Sequence, residues 1–123
     1  MISFKRKSKE KVEVNLWELI PIRKFDFEKS ENNLITILIP KFTNKFLVRH
    51  LMPRLKYPFF KVKLDEIGSA VWLEIDGKKK VGEIAQILEE KFGAKIQPIE
   101  ERLSKFFTQL QFHQFIDFKN EES

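Results

Sequence analysis

The sequence contains no cysteine, which excludes disulfides, thiolate nucleophiles and the usual structural zinc sites together. Histidine is scarce: His50 and His113 fall in segments of different type, and neither has a carboxylate at ligand-like spacing, so metal binding is not expected. Glycine is sparse too, and the four residues Gly68, Gly77, Gly82 and Gly93 are spread over helices and helix ends, where they form no loop that cradles a phosphate. The few serines, Ser69 and Ser104 among them, lie inside predicted helices and read as helix-surface positions, not nucleophiles. Neither a catalytic constellation nor a cofactor site is expected. No apolar run is long enough for a membrane span, and the basic start has no signal-peptide core, so the expected compartment is the cytoplasm. The least expected absence is acid: from Lys41 to Lys63 there is not one Asp or Glu, against seven Lys or Arg.

Among the residues present, a hydrophobic share of 42% with 13 Phe supplies a modest core, and 123 residues suit one domain. The net charge of +5 points to an acidic partner, whether nucleic acid, anionic lipid or acidic peptide. Residues 1–14 are expected as a flexible basic tail, 15–118 as the domain, and 119–123 as a disordered C-terminus.

Along the domain, Ile22 to Glu28 alternates as one half-buried strand, and Ser30 to Asn33 marks a turn. Leu34 to Ile39 is β-branched and apolar, so it pairs back to complete a hairpin. Asn44 is placed to cap a short helix that Pro53 stops. Phe60, Val62 and Leu64 alternate with Lys61 and Lys63, which predicts a third strand with one buried face. Asp65 then caps a helix over about Glu66 to Ile75, with Gly77 as its left-handed stop. Val81, Ile84, Ala85, Leu88 and Phe92 define a second helix ended by Gly93. Pro98 opens a third helix striped by Ile99, Leu103, Phe106, Phe107 and Leu110, and Phe115 to Phe118 forms a short terminal strand. The expected fold class is α+β, a three-stranded antiparallel sheet packed on a winged-helix-like three-helix unit.

Two local features invite a stronger reading. Asp76-Gly77-Lys78-Lys79-Lys80 looks like a basic turn for phosphate, but a helix stop followed by solvated lysines explains it with less. Trp17 and Trp72 have the chemistry of base-stacking platforms, although Trp72 beside Val71 reads as core. A helix-turn-helix would bring its last helix to DNA, yet Glu100 and Glu101 open that helix with the wrong sign. The acid-free stretch reads either as a membrane-surface or partner-docking helix over 45–55, or as a connector packed over the sheet through Phe46, Leu47 and Leu51. The latter is favoured.

The strand ending Leu64-Asp65, the helix ending Ile75-Asp76-Gly77, then Val81-Gly82-Glu83-Ile84-Ala85 and a Leu/Phe-rich final helix together resemble the PqqD-like family over about Ile22 to Phe118. That family includes the peptide chaperone of pyrroloquinoline quinone (PQQ) biosynthesis, and its fold recurs as the leader-peptide recognition element of peptide-modifying enzymes. Two departures are visible: Phe42 to Phe59 is a basic insertion where the link is usually short, and Lys80 stands where a capping Ser or Thr is common. The resemblance implies a noncatalytic adaptor that captures a precursor or leader peptide by strand addition. It would present that peptide to a radical SAM or other modifying enzyme. Phe60, Lys61, Val62 and Lys63 would supply backbone bonds and side-chain pockets, and the third helix, with Arg102, Lys105 and Gln109, the other wall. The lysines would favour acidic residues in the peptide. Equally, Lys61 and Lys63 would serve only to blunt an exposed sheet edge against aggregation. A winged-helix nucleic-acid-binding protein is the alternative reading, and an open strand edge also allows a homodimer.

Overall fold

A computed structural model describes residues 2–5 and 11–120, with side chains from 15 to 120. In chain order the elements are β1 (Ile2–Lys5), β2 (Lys11–Val14), a 3₁₀ turn at Leu16–Glu18, β3 (Ile20–Arg23), β4 (Phe27–Lys29) and β5 (Ile35–Pro40). There follow α1 (Lys45–His50), a 3₁₀ turn at Met52–Arg54, β6 (Phe59–Lys63), α2 (Glu66–Glu74), α3 (Val81–Phe92), a 3₁₀ turn at Gly93–Ile96, α4 (Ile99–Phe112) and β7 (Ile116–Lys119). The chain is α+β with a three-stranded antiparallel sheet of order β4-β5-β6, as expected. It divides into two compact units, Phe25–Trp72, and Met1–Lys24 with Leu73–Ser123, where a single domain over 15–118 is expected from the sequence.

In the unit Phe25–Trp72, the β4–β5 hairpin turns through Ser30 to Asn33. Asn33 takes a left-handed φ of 62°, and the Ser30 hydroxyl accepts the Leu34 N–H at 3.2 Å. Ile35 and Ile37 of β5 are buried, as are Val71 and Trp72 of α2. Phe27 meets Trp72 edge-to-face at 6.3 Å between centroids, a favourable aromatic geometry. Asp65 caps α2, its carboxylate accepting the Gly68 N–H at 2.7 Å. Ser69 is not a surface position. It is 1% exposed, and its hydroxyl accepts the Ile35 N–H at 2.8 Å while donating to the Leu64 carbonyl at 3.3 Å.

The other unit buries Leu16, Ile20, Val81, Ile84, Leu88, Leu103, Phe107, Leu110 and Ile116. The stripes of α3 and α4 follow the three-and-four spacing read from the sequence, and Gly93 ends α3 at φ 56°. Lys80 cannot accept a hydrogen bond as a capping Ser would, so the start of α3 is satisfied otherwise. The Leu19 carbonyl accepts the Val81 N–H at 2.9 Å, and Glu83 accepts the Lys80 N–H at 3.0 Å. The Lys80 ammonium reaches Glu18 at 3.0 Å. Close approach accompanies this contact: a Cβ added to Gly82 would stand 3.2 Å from the Trp17 carbonyl oxygen.

Two expectations are corrected. The single strand over Ile22 to Glu28 is two strands with different partners, β3 pairing antiparallel with β7 and β4 with β5. Alternation persists across the break because it records which face is buried and not which strand is adjacent. Residues 1–14, expected as a flexible tail, include β1 and β2 in antiparallel register; residues 1 and 6–10 of that tail lie outside the described residues. At the other end, Lys119 belongs to β7, and 121–123 of the expected disordered terminus lie outside them too.

Candidate peptide-binding edge

β6 has β5 on one side and no strand on the other among the described residues. Its register pairs Thr36 with Lys63, Ile37 with Val62, Leu38 with Lys61, Ile39 with Phe60, and Pro40 with Phe59. Just beyond its ends, Leu64 N–H donates to the Ile35 carbonyl at 2.9 Å and Lys41 N–H to the Pro58 carbonyl at 3.0 Å. Hydrogen-bonded and non-hydrogen-bonded pairs alternate along an antiparallel ladder, so Phe60 and Val62 spend their backbone groups on β5. The N–H and C=O groups of Phe59, Lys61 and Lys63 point the other way. The family resemblance implies a backbone role for Phe60, Lys61, Val62 and Lys63 without distinguishing these two sets. It missed Phe59. The phase of the ladder is set by pairs that only the three-dimensional register reveals.

Side chains divide by the same parity. Phe60 and Val62 lie on the face shared with Ile37 and Phe27, but burial thins along it: Val62 is half-buried and Phe60 is 58% exposed. The buried face expected for β6 is therefore incomplete, because β6 lies at the sheet edge and has a neighbour on one side only among the described residues. The Lys41 ammonium stands 5.3 Å from the Phe60 ring centroid. On the other face Lys61 reaches across to Glu28 of β4 at 3.4 Å, a pair exposed enough on both sides to contribute at most about 1 kcal/mol. Lys63 makes no ion pair among the described residues.

Arg102, Lys105 and Gln109 share one face of α4, at successive turns, and with Pro98, Glu101 and Phe106 they line a hollow of about 420 Å³. Arg102 is partly committed within its own unit, donating to the Lys95 carbonyl at 2.6 Å. The seven residues named from the sequence thus form two sets, four on one strand and three in one hollow.

The basic turn after α2 commits most of its donors to its own carboxylates. Asp76 accepts the N–H groups of Lys78 and Lys79, both at 2.9 Å, and the Lys79 ammonium pairs with Glu74 at 3.1 Å and Asp76 at 3.4 Å. Gly77 supplies the left-handed φ of 77° that this turn requires. The two backbone donors, ahead of the Lys79 charge, hold the Asp76 carboxyl down from its ordinary 3.8 to about 2. A lowered carboxyl pKa stabilises the fold fully above pH 3.8, and that contribution is lost as pH falls through about 2. The effect on stability is small at so exposed a site. A carboxyl-carbon NMR titration is expected to give Asp76 a midpoint near 2; a midpoint at the ordinary value would show that the turn does not hold.

Among the described residues no group of His, Asp or Glu is arranged to hold a metal ion, and no helix is long and apolar enough to cross a membrane. Fold and edge together define a small α+β module that offers an open strand for pairing. Residues 61–116 match the family model described as coenzyme PQQ synthesis protein D (PqqD), and over that span the chain is similar to that family. The match begins within β6, so residues 22–60 of the wider resemblance lie outside it. No curated protein and no solved structure matches the chain.

Proposed function

We propose that this chain is a noncatalytic adaptor of the PQQ-chaperone type. It takes a precursor or leader peptide as an added strand along β6 and presents it to a separate modifying enzyme in the cytoplasm. The observation that carries the reading is the row of outward backbone groups at Phe59, Lys61 and Lys63, which is the pattern that strand addition uses. The exposed Phe60 ring offers an apolar contact beside that row, while Lys61 and Lys63 favour acidic residues on the peptide's other face. Arg102, Lys105 and Gln109 are proposed as further polar contacts for peptide within their own unit, lining the α4 hollow.

The test is amide exchange with and without a candidate precursor peptide. On binding, the amides of Lys61 and Lys63 gain protection, while those of Phe60 and Val62, already paired to β5, change little. Equal protection of all four, or of none, would remove β6 as the site. A peptide N-methylated at alternate positions should bind normally in one phase and fail in the other. Lys61→Glu with Lys63→Glu is expected to weaken an acidic peptide by roughly tenfold, since each exposed pair is worth up to about 1 kcal/mol. Protection of the same amides without peptide, rising with protein concentration, would instead assign the edge to a homodimer.

A further inference from the structure

The excursion between β5 and β6 is not the packed connector that its apolar residues suggest. No residue of α1 or of the following 3₁₀ turn is buried. Phe46 is 67% exposed, Tyr57 66%, Val48 41% and Leu51 38%. Asn44 nevertheless fixes α1 firmly, accepting the Phe46 and Leu47 N–H groups at 2.8 and 3.4 Å. Phe46, Val48 and Leu51 are exposed on the apolar arc of the turn around the half-buried Leu47, with Lys45 and Arg49 on the opposite arc. So short a helix has little stability of its own, and an exposed apolar arc on it calls for a partner.

Charge selects that partner. The seven cations between Lys41 and Lys63 exceed the net +5 of the whole chain, so the remainder of the sequence is net acidic and positive charge is concentrated in this stretch. We propose that this excursion docks on an anionic lipid surface, Phe46, Val48 and Leu51 entering the headgroup boundary while Lys45, Arg49, Arg54 and Lys56 meet lipid phosphates. A second copy is disfavoured because it would bring like charges together. A nucleic acid uses rings as stacking platforms, but it has no use for exposed Val48 and Leu51. Three of the rings here already carry a neighbour: His50 lies 4.6 Å from Phe46, Lys56 5.6 Å from Tyr57 and Lys41 5.3 Å from Phe60. The lipid proposal is independent of the peptide reading, which concerns β6.

Co-sedimentation of the full chain with phosphatidylcholine vesicles, with and without phosphatidylglycerol, tests it. Binding is expected only to the anionic vesicles and to weaken with salt. Phe46→Ser with Val48→Ser should reduce it about tenfold, and Lys45→Glu with Arg49→Glu by tenfold or more. All four positions are exposed, so circular dichroism of both variants should match the parent. No partition into anionic vesicles overturns the proposal, as does equal binding to neutral ones or binding indifferent to Phe46 and Val48. Capture of a single-stranded oligonucleotide or of an acidic protein, with none of vesicles, overturns it in favour of that partner.

Discussion

Trp72→Ala is expected to lower the unfolding free energy by about 3–5 kcal/mol, the range for truncating a fully buried large aromatic. Trp72 is 0% exposed and the largest of the fully buried side chains, and Phe27 loses its edge-to-face partner with it. Against a total stability of about 5–15 kcal/mol for a domain, that loss would leave the variant marginal. Trp72→Phe is a different matter. The indole Nε1 is buried and finds no acceptor among the described residues, and an unpaired buried donor costs about 1–3 kcal/mol. Phenylalanine removes that donor while keeping most of the ring, so the two changes offset and the net effect is expected within about 1 kcal/mol. Urea denaturation of the three proteins decides the point. A Phe variant as damaged as the Ala variant would mean that the indole nitrogen is satisfied in solution.

Much of the helical half was legible in the sequence because its signals are local. The α3 stripe, the Asp65 and Asn44 caps, the left-handed Asn33 and the Gly93 terminus each depend on residues within one turn of one another. Strand partnership is not local, so the alternation through Lys24 and Phe25 concealed a switch from the β7 ladder to the β5 ladder. The apolar residues of α1 misled for a related reason. Periodicity shows that one face of a helix is apolar, but not that anything covers it, and here Leu47 alone is half-buried while Phe46, Val48 and Leu51 stay exposed.

The candidate edge was half legible. The alternation of Phe60 and Val62 with Lys61 and Lys63 marks a strand and its two faces, and the charged residues suit an edge position. Which backbone groups point outward depends on the parity of the ladder, which the Leu64–Ile35 pair sets. Lys61 is expected from the sequence either as a contact for acidic peptide residues or as an edge guard. Its pairing with Glu28 across β5 gives an incoming carboxylate a competitor, which weakens the preference at that position more than at Lys63.

Ser69→Ala should cost about 1–3 kcal/mol, a large effect for the loss of one oxygen, because a buried and a part-buried backbone group lose their partner together. A regular antiparallel pair would exchange both bonds between Ile35 and Leu64. Here the Leu64 N–H donates directly to the Ile35 carbonyl at 2.9 Å, while the return path runs through the Ser69 hydroxyl, from the Ile35 N–H at 2.8 Å and onward to the Leu64 carbonyl at 3.3 Å. A side chain of α2 is thus spliced into the end of the ladder that orders β6. Its removal should raise the exchange rate of the Ile35 amide specifically, and Ser69→Thr, which keeps the hydroxyl, should retain much of the protection. If the two strands instead close to form the missing bond directly, stability will fall by well under 1 kcal/mol and the Ile35 amide will stay protected. That outcome would show the hydroxyl to be a spacer and not a support. Because Leu64 adjoins Lys63, a loosened ladder end also disorders the outermost donor and acceptor of the edge. Peptide affinity in Ser69→Ala should therefore fall in parallel with Ile35 protection, although Ser69 itself is buried beyond the reach of any ligand.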